Sequence, residues 1–325
     1  MANQAWQLTA PGTITLNDLE TPIPKPGGNL LANFSDKYPV KAKLGQILAT
    51  DGAGVTEEPG PHSIWKKGDR AVIHPSKWRL SGPQENMTFD SFAGATADGM
   101  LRRWLVWDDT RLFRAPSHLS LEEASTLFVA GVTAYRALFY GSFRPQPGMT
   151  VLTQGTGGVS CFAMLFAKAA GMKVVATSSS DEKLEVARKL GADGTIHYRE
   201  IPEWGQEARR LTEGKGVDLV VDIVGGPSLV QAIQATRFGG GIAVLGQLVD
   251  ELTAEINTSQ ILGGALTIFG QAGSGSKEVS DEMSAFVEKH RLRPQIARVF
   301  EWEEADQALK AMERLEAPGK IVVRV

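Results

Sequence analysis

The sequence predicts an α/β protein of two lobes, one β-rich and one built on a doubly wound parallel sheet. Three observations predict it. From residue 149 onward, short apolar strand-like runs alternate with helical stretches, the pattern of βα units laid into a parallel sheet with helices on both faces. Residues 1–120 are instead rich in Pro, Gly and short mixed runs, which suits short strands joined by turns. At 325 residues the chain is long for one compact core and comfortable for two lobes.

Each element follows from its local pattern. Residues 121–148 carry helix-compatible apolar spacing. Strands are expected at 150–153, 173–177, 194–198, 217–224, 241–245 and 265–269, with helices at 159–170, 181–190, 204–211 and 229–236. The first of these helices is apolar on most sides and therefore buried, whereas the second is amphipathic, with Leu184, Ala187 and Leu190 on one face. The tail adds helix 277–289, strand 297–301, helix 303–313 and strand 320–325. The expected division is 1–122, 123–274 and a C-terminal segment, 275–325, that returns to the first lobe.

Composition narrows the function. Hydrophobic residues make up 42% and charged residues 22%, the mix of a soluble globular protein. A net charge of −3 offers no basic field for a nucleic-acid backbone. No apolar run reaches membrane-spanning length, and the N-terminal residues show neither a basic region nor an apolar core of a leader. A cytoplasmic protein acting on a small molecule is expected. The single cysteine, Cys161, excludes an internal disulfide and any multi-cysteine metal site.

The strongest chemical signal is Gly155-Thr156-Gly157-Gly158-Val159-Ser160. It follows a strand and opens a helix, the context in which glycine backbone approaches a pyrophosphate and the helix N-terminus supplies N–H donors. Ser160 replaces the third glycine of G-x-G-x-x-G and is still small enough for close helix–strand packing. The second strand selects the cofactor. An NAD site places Asp or Glu at its end to hold the ribose 2′-OH. Here the stretch reads Thr177-Ser178-Ser179-Ser180, with Lys183 three residues on, and the hydroxyls and lysine suit the 2′-phosphate of NADP(H). Ser179 and Glu182 also form a capping-box pattern. The two readings are compatible, because Ser178 and Ser180 remain.

These motifs, with Leu190-Gly-Ala-Asp193, Phe238-Gly-Gly-Gly241, Gly319-Lys-Ile-Val322, Asp51-Gly-Ala-Gly54 and Lys67-Gly-Asp-Arg70, resemble the zinc-independent quinone oxidoreductase branch of the medium-chain dehydrogenase/reductase superfamily. The resemblance implies a GroES-like catalytic lobe, a Rossmann nucleotide-binding lobe, a homodimer, and NADPH-dependent reduction of an activated double bond or quinone. Carried over by position, Ser179, Lys183 and Tyr198 match adenosine-phosphate contacts, and Thr133 matches a nicotinamide-side contact. Gly246 and Gly270 match backbone lining the nicotinamide. Zinc relatives carry Gly-His-Glu-x-x-Gly where this chain reads Ala49-Thr50-Asp51-Gly-Ala-Gly54, so Thr50 stands at the histidine position and no zinc is expected. Cys161 is expected as buried filler. The five histidines show no paired metal spacing. His62, His74, His118 and His290 read as surface or turn residues.

One segment departs from the family. Between Pro26 and Pro39 the chain is short by about 15 residues, a strand and a helical turn or two. Asn33, Asp36 and Tyr38 lie on the family's substrate-side motif in one registration, which makes them the candidate catalytic residues; in another they are loop residues with turn chemistry. The contraction also motivates two rival readings: a non-redox cyclase or lyase on the same fold, and a catalytically silent NADPH-binding protein.

Overall fold

The computed structural model describes residues 3–10, 13–19, 43–75, 92–314 and 318–325. These fall into two compact units, one ending at Val132 and resuming at Ser274–Val325, the other spanning Thr133–Gly273.

The first unit is β-rich. Strands β1 (Asn3–Ala10) and β2 (Thr13–Leu19) form an antiparallel pair. Three short antiparallel strands follow: β3 (Ala53–Val55), β4 (Arg70–Ile73) and β5 (Leu112–Arg114). Helix α1 (Leu121–Ala124) starts at a reciprocal capping box between Ser120 and Glu123. A π-helical turn, Leu127–Val132, closes this stretch, almost all of it buried. The core of the unit gathers Ile47, Trp65, Ile73, Met100 and Leu112 with Phe300 and Trp302 from the tail.

The second unit contains the parallel sheet. It begins with α2 (Thr133–Phe139) and runs through β6 (Thr150–Gln154), α3 (Gly158–Ala169), β7 (Lys173–Ser178), α4 (Asp181–Lys189) and β8 (Gly194–His197). It continues with α5 (Trp204–Leu211), β9 (Val217–Asp222), α6 (Ser228–Ala235), β10 (Thr236–Val244), α7 (Thr258–Gly264) and β11 (Thr267–Gly270). The six strands are all parallel, in the order β8-β7-β6-β9-β10-β11. The chain therefore winds outward from β6 in one direction and from β9 in the other. The crevice at the carboxyl ends of β6 and β9 is the topological switch point, where such sheets bind ligands. Strands buried on both faces read as continuous apolar runs, and β9 does so, with Leu219, Val220 and Val221 fully buried.

The tail belongs to the first unit. It comprises α8 (Lys277–His290), β12 (Ile296–Phe300), α9 (Ala305–Glu313) and β13 (Lys320–Val323), with β12 and β13 parallel.

Two local expectations need correction. Helix α7 has no counterpart among the expected elements; of its seven residues only Ile261 packs on the core, too little for a periodic apolar stripe. His74 is not a surface residue: it is buried, Nε2 lies 3.0 Å from the Gly275 carbonyl, and the ring meets Phe128 edge-on at 4.5 Å. His118 lies in a turn, as expected, with its side chain buried and Nε2 2.8 Å from the Leu292 carbonyl.

Candidate functional site

The expected phosphate loop lies between β6 and α3. Gly155 has φ +71°, a conformation that disfavours any residue with a Cβ. Its N–H donates to the Thr177 carbonyl at 2.7 Å, which pins the loop to the end of β7. Gly157 is different. It is the N-cap of α3 at φ −73°, ψ 179°, extended backbone open to any residue, and no side chain caps the helix there. A Cβ on Gly155 or Gly157 would meet nothing within 4 Å. The fold therefore explains glycine at 155 but not at 157, where neither conformation nor packing demands it.

Ser160 replaces the third glycine and is fully buried, its hydroxyl donating to the Gln154 carbonyl at 2.7 Å. Small size and this bond let α3 sit close against β6. Thr156 lies across from Ser178, hydroxyl to hydroxyl at 3.4 Å. Helix α3 continues with Val159, half-buried behind Gly158. Cys161 is buried, as expected; its thiol donates to the Thr156 carbonyl at 3.3 Å, and burial pushes its pKa up to about 12.

At the end of β7 the register pairs Ser178 with His197, and the Tyr198 N–H donates to the Ser178 carbonyl at 3.0 Å. Ser178, Ser179 and Tyr198 are thereby brought to one corner of the sheet, with Ser178 buried, and Lys183 follows in the first turn of α4. Tyr198 is exposed. The capping assignment is corrected: Ser180, not Ser179, is the N-cap of α4, accepting from the Lys183 N–H at 3.4 Å. Ser178 belongs to the ladder, so the turn to helix falls one residue later than the Ser179–Glu182 spacing suggests. Ser179 is left out of the cap. No carboxylate stands at the end of β7, and Asp181 is already the first residue of α4.

On the other half of the sheet, Thr133 begins α2 and its carbonyl accepts from Gln271 Nε2 at 3.0 Å. A Cβ on Gly246 would lie 2.4 Å from the Ile223 carbonyl oxygen, so close backbone contact between the ends of β9 and β10 already demands that glycine. Gly270 ends β11, and a Cβ there would meet nothing within 4 Å. Asp222, at the end of β9, is fully buried; its Oδ1 accepts from the N–H groups of Val224 at 3.0 Å and Gly225 at 2.9 Å. Burial raises its pKa, while these N–H groups and the Gln154 amide oppose the rise.

In the first unit, Thr50 and Asp51 occupy the stretch where zinc relatives carry ligands. Asp51 is fully committed: Oδ1 accepts from the Val129 N–H at 2.7 Å, and Oδ2 pairs with Lys320 Nζ at 2.8 Å. Both side chains are buried, and burial raises the Asp51 pKa against the pull of Lys320. Ala49, just before them, holds a left-handed φ of +84°. Among the described residues no three His, Cys, Asp or Glu side chains are grouped as a metal site requires. A hydroxyl beside an engaged carboxylate does not make a zinc donor set. Asn33, Asp36 and Tyr38 lie outside the described residues. Among the described residues no helix is long and apolar enough to cross a membrane.

Two pairings leave no mark in the sequence. Asp51–Lys320 joins residues 269 apart, beyond any local pattern. Gln154 reads in the sequence only as a motif flank, yet its buried side chain bonds to Val224 and Ser228.

Comparison with known proteins places this geometry among dehydrogenases. Residues 158–289 match the family model described as zinc-binding dehydrogenase. The chain is 37% identical over 294 residues to a zinc-type alcohol dehydrogenase-like protein of Schizosaccharomyces pombe, covering 89% of this chain and 84% of that one. It is 26% identical to the crotonyl-CoA reductase of Streptomyces collinus over 85% of this chain and 67% of the relative. A solved NAD-dependent alcohol dehydrogenase superposes with TM-score 0.85 at 29% identity, covering 99% of both chains. A crotonyl-CoA carboxylase/reductase solved with NADP shares the fold, with TM-score 0.85 at 19% identity over 100% of this chain and 95% of that one.

Proposed function

The chain belongs to the medium-chain dehydrogenase/reductase superfamily, and from that premise we propose that it is a zinc-independent, NADPH-dependent oxidoreductase acting on an activated C=C bond or a quinone. One observation carries the reading. A loop with open space at Gly155 and Gly157 adjoins a strand end that carries Ser179 and Tyr198 beside buried Ser178, with Lys183 in the first turn of the next helix and no carboxylate. A 2′-phosphate needs donors and positive charge, and a 2′-hydroxyl needs an acceptor. This corner suits the first and lacks the carboxylate that serves the second. The relationship to a crotonyl-CoA reductase supports the activated double bond as substrate class.

The bound nicotinamide would supply a hydride to the β-carbon of the acceptor. The chain's own residues do the rest. The N–H groups at the start of α3, with Gly157 and Gly158, would hold the pyrophosphate; Ser179, Lys183 and Tyr198 would hold the adenosine 2′-phosphate, with buried Ser178 behind them on Thr156. Thr133, Gly246 and Gly270 border the nicotinamide half. The enolate oxygen requires a hydrogen-bond donor and the α-carbon a proton. Asn33, Asp36 and Tyr38 are assigned to that side, with Tyr38 as the donor. Zinc has no part, because the Thr50–Asp51 stretch offers one hydroxyl and one carboxylate already held by Lys320 and Val129.

The test is absorbance at the reduced-nicotinamide band with a panel of enones and quinones. NADPH should be consumed in preference to NADH, and Tyr38→Phe should lower kcat while leaving NADPH affinity unchanged, as expected for a group used mainly in the transition state. No consumption above background across the panel would refute the reductase reading and leave the cofactor assignment standing.

A further inference from the structure

Gln154 is the last residue of β6, immediately before the phosphate loop, and its side chain is buried. Nothing in the G-x-G-x-x-S pattern requires an amide there. Yet its carbonyl and both polar side-chain atoms are engaged, and the side chain reaches across the switch point. Its carbonyl accepts from the Ser160 hydroxyl at 2.7 Å, which anchors the start of α3. Its Oε1 accepts from the Val224 N–H at 3.3 Å, and its Nε2 donates to the Ser228 hydroxyl at 3.2 Å. Val224 lies in the turn after β9, and Ser228 is the first residue of α6.

That turn is built to close tolerance. Gly225 and Gly226 have φ of +70° and +52°. A Cβ at Gly225 would lie 2.7 Å from the Gly246 carbonyl oxygen, and one at Gly226 would lie 2.2 Å from that of Glu251. Asp222 Oδ1 fixes the turn from within through two N–H groups, while its buried Oδ2 takes no hydrogen bond. The turn is thus rigid in itself, and the Gln154 side chain ties it laterally to β6.

A dinucleotide at this crevice lies across both halves of the sheet. Its pyrophosphate meets the loop after β6, and its two nucleosides extend to opposite sides. We propose that Gln154 is a positioning residue that sets the spacing between the phosphate loop and the 222–226 turn, so that the nicotinamide half of the cofactor is held in register with the adenosine half. The assignment rests on the NADPH reading above. It adds a role for a residue that touches neither the 2′-phosphate corner nor the substrate.

Gln154→Met tests it, with the full chain titrated calorimetrically against NADPH and against adenosine 2′,5′-bisphosphate, which carries the adenosine half alone. Methionine nearly matches glutamine in length. The Ser160 bond persists because it goes to the backbone, Val224 N–H keeps Asp222, and half-buried Ser228 can turn to water; buried Asp222 loses the help of the Gln154 amide but keeps both of its N–H donors, and that loss falls on both ligands alike. NADPH affinity should fall about tenfold or more, while bisphosphate affinity stays within about twofold. A merely structural role would weaken both ligands together. Ser228→Ala removes one of the two tethers in an otherwise intact chain and should give the same split at a smaller factor. Equal losses for the two ligands, or unchanged NADPH binding in both variants, would overturn the assignment. A wild-type chain that binds neither ligand would overturn the cofactor reading and this assignment with it.

Discussion

Gly157→Val separates a glycine kept for the fold from one kept for a ligand. The backbone at this position is extended, φ −73° and ψ 179°, which valine adopts readily. A Cβ there meets nothing within 4 Å. The cost to the ligand-free protein should therefore be about 1 kcal/mol, that of an aliphatic N-cap, with loss of unfolded-state freedom offsetting part of it. The valine methyl groups would occupy the space before the α3 N-terminus, where phosphate oxygens must come within hydrogen-bond distance of the backbone. Losing that approach should weaken NADPH at least about 100-fold, roughly 2.7 kcal/mol. Two readings check this together. In thermal melts the variant alone should melt within a few degrees of the wild type, but it should lose the stabilisation that saturating NADPH confers, about 2.7 kcal/mol at 100 times the dissociation constant. Fluorescence titration should show no NADPH binding over the wild-type range. Wild-type affinity in the variant would show that the loop is only a turn, and a large melting drop without ligand would show that glycine is needed by the fold after all.

Four further outcomes are expected. Lys183→Ala should weaken NADPH by about tenfold, the scale of one charge-assisted contact, and leave NADH nearly unchanged, as read by competition titration; equal losses would remove the 2′-phosphate role. Lys320→Met should destabilise the chain by about 3–5 kcal/mol at neutral pH in urea unfolding, because it strands the buried Asp51 carboxylate. The Asp51 pKa is already raised by burial and should rise further in that variant; a folded pKa above the unfolded one means that stability is present in acid and lost as pH rises through the folded value, so the deficit should shrink toward about pH 4. Elemental analysis should find no stoichiometric zinc, and a chelator should leave the melting temperature unmoved. Strand β11 forms the sheet edge and should pair with its copy across a two-fold axis, so light scattering at micromolar concentration should report a dimer and not a monomer.

Much of the second unit is legible in the sequence because its signals are local. Strands β6, β7 and β9 are apolar runs between turn residues, and the Gly155–Ser160 motif sits where a strand gives way to a helix. Where two local signals compete, the ladder decides. Both Ser179 and Ser180 can cap a helix, and the pairing of Ser178 with His197 moves the cap to Ser180. What stays hidden is non-local or unpatterned. The partner of Asp51 lies 269 residues away. His74 looks like a turn residue until Gly275 and Phe128 enclose it. Gln154 acquires its meaning only when β9 is laid beside β6, a neighbour relation set by topology and not by spacing. Helix α7 sets only Ile261 against the core, so no apolar period announces it. The candidate catalytic residues Asn33, Asp36 and Tyr38 fall outside the described residues, so their assignment rests on sequence alone.

The central claim is direct transfer of hydride from bound NADPH to an activated double bond. The measurement that meets it most directly uses NADPH deuterated at nicotinamide C4, on the transferred face, with an enone that the chain turns over. The recovered product should carry one deuterium at its β-carbon and take its α-hydrogen from water, with one NADPH consumed for each product formed. Product that forms without label, or without loss of NADPH, would contradict the account.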